Sequence, residues 1–229
     1  MGKSPQNKTG AAPHVGPSEA KKWGVALSIA AVLFGTHMVY ILEFTATTQL
    51  LMAVSFAMAA TASFLYAMAF SSGSLSYYIG WPNMRDGYQK QIGVMGFWFS
   101  FAYSITLVVL YPELYWYGLA DNFWTWDVTL GLTAMTIFGA MTVINSKPIA
   151  PYFSWDTIKF VLGLGFVGYA LLVIRAIFIE FDLWMYWLTT FDGDIPGRLV
   201  LSVVAVGVLM MRISVPIHIK LFGTPRPKK

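Results

Sequence analysis

The chain has 229 residues, of which 57% are hydrophobic, 17% aromatic and only 11% charged, with a formal net charge of +4. A soluble domain carries about 25% charged residues, so this composition describes a polytopic membrane protein. Cysteine is absent, which excludes disulfides, thiolate catalysis and cysteine-ligated zinc or iron–sulfur centres, and leaves any electron-transfer centre to histidine or a partner.

Residues 1–22, MGKSPQNKTGAAPHVGPSEAKK, are rich in Pro, Gly, Ala and Lys and contain no apolar run. They read as a disordered, basic cytoplasmic tail rather than a signal peptide, because no short apolar core with a cleavage site follows. Asn7-Lys8-Thr9 has the form of a glycosylation acceptor, which a cytoplasmic tail would never use.

Six spans follow: Trp23 to Phe44, Gln49 to Ser71, Gln91 to Tyr111, Trp126 to Ile144, Thr157 to Ile179 and Pro196 to Val215. The fifth is apolar except for Lys159, Tyr169 and Arg175; at ~1.5 Å per residue it covers ~34 Å, enough for a hydrocarbon core of ~30 Å. Its Gly163, Gly165 and Gly168 let a neighbouring helix approach closely, as do Ala53, Ala57, Ala60, Gly131 and Gly139 elsewhere. Leu183 to Phe191 is apolar but short, and Trp184, Tyr186 and Trp187 suit a segment lying at the interface. The fold class is thus all-α, a six-helix transmembrane domain over 23–215 with a basic tail over 216–229.

With the N-terminus inside, all 15 Lys and Arg except Arg175 and Arg198 fall at or beyond the inner face, a strong positive-inside bias that makes both termini cytoplasmic. Glu43, Glu113, Asp121, Asp127, Glu180, Asp182, Asp192 and Asp194 lie on the other side, as an outer rim or as the contact for a basic partner. Trp116, Trp124, Trp126, Trp184 and Trp187 crowd that side as an aromatic belt. Lys21-Lys22 and Arg226 to Lys229 would rest on anionic lipid heads, with no need for nucleic acid. A bacterial cytoplasmic membrane is the expected location.

Depth selects the polar residues of interest. Arg175 lies ~27 Å up its helix, where it can snorkel outward or pair with Glu180 or Asp182. Arg212 lies near the inner boundary. No carboxylate falls in the middle of a span, which counts against a proton pump or ion-coupled transporter. His37 at ~21 Å, Tyr103 at ~18 Å and Tyr169 at ~18 Å share one layer, with Thr36, Ser104 and Thr106 nearby. They form either interhelical hydrogen bonds or a pocket for a quinone, lipid or other apolar molecule.

The histidines are His14, His37 and His218. His14 is in the tail, and His37 and His218 are roughly 20 Å apart in depth, so they cannot share a haem iron. A haem on His37 alone, with a methionine opposite, is the remaining arrangement. The glycines of the fifth span have no strand before them and form no nucleotide site. Lys159, at a helix entrance, is badly placed for a retinal Schiff base.

From about Ala67 to Trp184 the order of motifs resembles the ferric reductase-like transmembrane family, six-helix membrane cytochromes. YQKQIGVMGFWFSFAYSITLVVLY is similar to that family's third helix. WDVTLGLTAMTIFGAMTVINS with SWDTIKFVLGLGFVGYALLVI resembles its fourth and fifth. The resemblance implies haem histidines at or near Tyr103, Lys159 and Leu172, and none is histidine, so it implies a haem-free form of the fold. The expected function is therefore an accessory or scaffold subunit of a larger membrane complex, without catalysis or metal of its own. The alternatives are an oxidoreductase subunit handling quinone or haem near His37, Tyr103 and Tyr169, and an uncoupled channel or carrier for a neutral solute.

Overall fold

A computed structural model of the chain describes residues 18–44, 49–79 and 88–223. The expectations for Asn7 to Thr9, His14, Arg85 and Arg226 to Lys229 lie outside the described residues. Six long helices account for most of the rest: α1 (Glu19–Phe44), α2 (Leu50–Ile79), α3 (Gln89–Leu110), α4 (Trp126–Ile144), α5 (Trp155–Thr190) and α6 (Gly197–Phe222). All six are long and apolar enough to cross a membrane, and no strand occurs among the described residues. The chain is an all-α, polytopic helix bundle.

Two boundaries differ from the sequence reading. The first helix starts at Glu19 rather than Trp23, because the Ser18 hydroxyl accepts the Lys21 amide at 3.3 Å and caps it. Helix α5 runs on through the segment expected to lie flat, reaching Thr190 without a break. Its 36 residues amount to ~54 Å of helix. Nothing between Ile179 and Thr190 is Gly or Pro, so the polar Glu180 and Asp182 decorate the helix without ending it. It stops at Phe191, which takes a left-handed conformation (φ 52°) and returns its amide to the Trp187 carbonyl at 2.7 Å. At its start, Ser154 accepts the Thr157 amide at 3.2 Å.

Helix α2 packs on α1, α3 and α6, α4 on α3 and α5, and α5 on α6. Helices α2 to α6 therefore close into a five-membered ring, with α1 outside it against α2 and α3. The ring's core joins Tyr66 and Phe70 of α2, Phe138 of α4, Tyr169 of α5 and Ala205 and Val208 of α6. On the outside, Ala26 and Ala30 of α1 are fully buried against Leu65 and Ala69 of α2. Exposed large apolar side chains occur on all six helices, as a lipid-facing surface requires.

Candidate functional site: a cavity inside the helix ring

The ring encloses a cavity of about 430 Å³ lined by residues of α2, α3, α4, α5 and α6 and by Tyr115 and Leu119 of the α3–α4 connection. Helix α1 contributes nothing to it. The cavity lies toward the end at which α2, α4 and α6 begin, here the upper end, and its volume suits a small molecule.

At its mouth, Asp127 in the first turn of α4 faces Arg175 of α5. The Arg175 Nε donates to Asp127 Oδ1 at 2.7 Å and to the Asp127 carbonyl at 3.1 Å, while Nη2 lies 2.6 Å from Oδ1. Tyr115 donates its hydroxyl to the other carboxylate oxygen, Oδ2, at 2.6 Å. Each oxygen of Asp127 thus has a partner, which is what a charge pair removed from water requires. Burial, with the Asp127 carboxylate beside it, pushes the Tyr115 phenol above the usual tyrosine range. Gly131, one turn below Asp127, makes room for the guanidinium: a Cβ there would lie 3.3 Å from Arg175 Nε.

A second pair closes the α5–α6 side. Arg198 Nη1 lies 3.1 Å from Glu180 Oε1, and the Trp184 indole donates to Glu180 Oε2 at 3.1 Å. Arg175 and Arg198 both line the cavity, and each is already neutralised by its own carboxylate.

The floor is aromatic. Tyr66 and Phe138 stack with ring centroids 4.1 Å apart, and Tyr169 meets Tyr66 edge-on at 6.4 Å. The Tyr169 hydroxyl donates to the Ser63 carbonyl at 3.2 Å, and Ser100 donates to the Tyr66 hydroxyl at 3.4 Å. Between mouth and floor the wall is mainly apolar, with Tyr103, Ser104 and Ser202 as its polar points.

Of the layer His37, Tyr103 and Tyr169, the structure brings Tyr103 and Tyr169 to one cavity and leaves His37 out. His37 Nδ1 instead hydrogen-bonds with Thr61 Oγ1 at 3.3 Å, and its ring stacks on Phe64 at 5.3 Å, in the α1–α2 contact outside the ring. Thr106 bonds to Ser55 at 2.9 Å and ties α3 to α2, while Ser104 lines the cavity. Thr36 is exposed. Arg175 pairs with Asp127 rather than with Glu180 or Asp182; Glu180 takes Arg198, and Asp182 is exposed with no ion pair among the described residues. Arg212 lies over the Phe166 ring at 5.1 Å. Of the positions the family resemblance singled out, Tyr103 and Leu172 face the cavity, and Lys159 is exposed beside Asp156 at 3.9 Å.

Among the described residues no group of three or more His, Asp or Glu comes together as a metal set. The sequence reading missed Asp127, Tyr115, Tyr66 and Phe138. Asp127 carried a usable signal, since a carboxylate in the first turn of a span lies at the depth of an arginine late in the next.

The site and fold define an integral membrane helix bundle with an internal, charge-compensated cavity. No family model matches the sequence, and no curated protein matches it.

Proposed function

We propose that the chain holds a small, uncharged molecule with a weakly polar head, of the quinone or neutral-lipid class, inside the helix ring. The observation that carries this reading is the cavity itself: apolar walls, a few hydroxyls, and two arginines each neutralised by its own carboxylate. A cationic or anionic guest would have to break one of those pairs, whereas a carbonyl or hydroxyl head can share their remaining donors. The apolar body would lie between Leu172, Met135 and Val128 and rest on the Tyr66–Phe138 floor.

A haem-free accessory subunit of a larger membrane complex with a ferric reductase-like fold is compatible with this role; of the three positions that resemblance singles out, Tyr103 and Leu172 face the cavity and Lys159 does not. The Lys and Arg bias supports both termini on the inner side, and we place the chain in a bacterial cytoplasmic membrane.

The test is photo-crosslinking of the full chain in nanodiscs with a diazirine-bearing fatty alcohol, mapped by mass spectrometry. Labelling should concentrate on cavity-facing residues of α3, α4 and α5, compete with decylubiquinone, and disappear in Leu172→Trp, which fills the space. Labelling spread evenly over the lipid-facing residues, without competition, would overturn the reading.

A further inference from the structure

A second cavity of about 270 Å³ enters the bundle from the opposite, lower end, between the start of α1, the start of α3 and the end of α4. Its polar rim carries Glu19, Lys22, Gln91 and Asn145. Lys22 lies 3.2 Å from Glu19, and Gln91, almost fully buried, donates to Glu19 at 3.2 Å, while Lys90 adds one further positive charge to this end.

The two cavities meet at the same two side chains. Down α2, the upper cavity is lined by Ala59, Ala62, Ser63 and Tyr66, and the lower by Tyr66, Ala69 and Phe70. Down α4, the upper lining ends at Phe138 and the lower begins there. Tyr66 and Phe138, 3% and 2% exposed, therefore form a septum one stacked pair thick between spaces that open at opposite ends.

From this we infer that the ring is a passage for a small uncharged solute, closed in this conformation by the Tyr66–Phe138 pair. The inference rests on the proposal that the upper cavity takes an uncharged guest, and adds that the guest can leave by the other end.

Two features favour a movable septum over a fixed core contact. Each ring lies against a glycine on a neighbouring helix, where a Cβ would come within 3.1 Å of Tyr66 at Gly96 and within 3.2 Å of Phe138 at Gly168. On that face each ring rests on backbone rather than on a side chain, while Phe70 and Tyr169 pack against the pair from other directions, so the aromatic cluster shifts together when the stack parts. The Tyr66 hydroxyl is held only by the long 3.4 Å contact from Ser100, so parting the stack breaks no strong hydrogen bond. The paired charges at the upper rim remove the electrostatic reason to admit ions there, and Lys90 at the lower end disfavours cations. No carboxylate lies at the septum to couple passage to protons.

The chain has no cysteine, so a single introduced thiol reports access without background. In oriented proteoliposomes of the full chain, Ser100→Cys lies above the septum and Thr142→Cys below it. With the pair intact, an uncharged, membrane-impermeant sugar-bearing methanethiosulfonate should modify Ser100→Cys only from the upper side and Thr142→Cys only from the lower. Adding Phe138→Ala should make each thiol react from both sides and raise glycerol release several-fold. Tyr66→Leu shortens the other ring and should act alike, which guards against one variant failing to fold. One-sided labelling and unchanged glycerol release in both variants would overturn the passage. Fatty-alcohol crosslinking on the same samples separates the failures: retained crosslinking without passage leaves the binding reading standing, and lost crosslinking in the unsubstituted chain removes it.

Discussion

Arg175 on α5 and Asp127 on α4 form a pair with Nη2 and Nε at 2.6 and 2.7 Å from one carboxylate oxygen, inside a bundle of largely apolar walls. Only 15% of the arginine side chain and 26% of the aspartate are exposed. Breaking such a pair strands one charge, and for a fully buried pair that costs about 3–5 kcal/mol. The residual exposure of Asp127 places the cost at the low end. Asp127→Asn and Arg175→Met should each lower thermal stability in detergent. The double variant should lose less than the two single losses combined, because neither charge is then left alone. Arg175→Lys should keep the charge and lose the second donor, falling between native and Met. Differential scanning fluorimetry on the native chain and the four variants checks the pattern.

The position of that pair shows what could and could not be read from sequence. Hydrophobic runs and their lengths gave the six helices, since a membrane span is a composition signal as much as a pattern. Side-chain partners between helices have no such signal. For Arg175 the acidic residues of its own helix are defeated by helical geometry: Glu180 is ~140° around the axis and Asp182 ~10.5 Å further along. His37 was placed at the right depth but on the wrong helix for the cavity, because depth follows from counting residues and ring membership does not. The α5 extension was missed because Trp and Tyr flanked by acidic residues mimic an interfacial segment, while nothing in the sequence breaks the helix there.

The glycines of α5 were read as one packing face, and the structure separates them. Gly165 and Gly168 are buried against α4, where a Cβ at 165 would come within 2.5 Å of Met141 Sδ and 2.9 Å of the Phe70 ring. At Gly163 a Cβ would meet nothing within 4 Å. Gly165→Ala should therefore destabilise the bundle by about 1–3 kcal/mol through overpacking. Adding Met141→Ala should restore part of that, since the thioether is the nearer obstacle. Gly163→Ala should be neutral or slightly stabilising, because it adds helix propensity without a clash. Unfolding in a mixed-detergent series would rank the three.

Tyr115 gives a pH-dependent signature. Its phenol is raised above the usual tyrosine range by burial and by its bond to Asp127, so the folded chain holds the proton more tightly than the unfolded chain does. Stability from this source is complete below the unfolded value of about 10 and is lost as pH rises through the higher folded value. Tyr115→Phe should cost about 1 kcal/mol at neutral pH for the lost hydrogen bond. The difference between the two proteins should stay constant up to about pH 10 and narrow above it. Melting temperatures from pH 7 to 11 measure both limbs, and a difference that narrows already between pH 7 and 9 would contradict the assignment.

His37 and Tyr103 lie at similar depth on opposite sides of the ring wall, and their substitution should separate packing from binding. His37→Ala removes the stack on Phe64 and the contact to Thr61, so it should loosen α1 and lower the melting temperature slightly. The cavity does not include it, and fatty-alcohol crosslinking inside the ring should be unchanged. Tyr103→Phe removes one of the few polar points of the cavity wall while keeping the ring's volume. It should leave stability near native and weaken competition by decylubiquinone more than crosslinking by the fatty alcohol, because a quinone carbonyl needs a donor and an alcohol head can find one elsewhere. Loss of crosslinking in His37→Ala at a temperature where the bundle is still folded would move the binding site to the α1–α2 contact. The opposite outcome, with Tyr103→Phe alone altering competition, is what a guest held among α3, α4 and α5 requires.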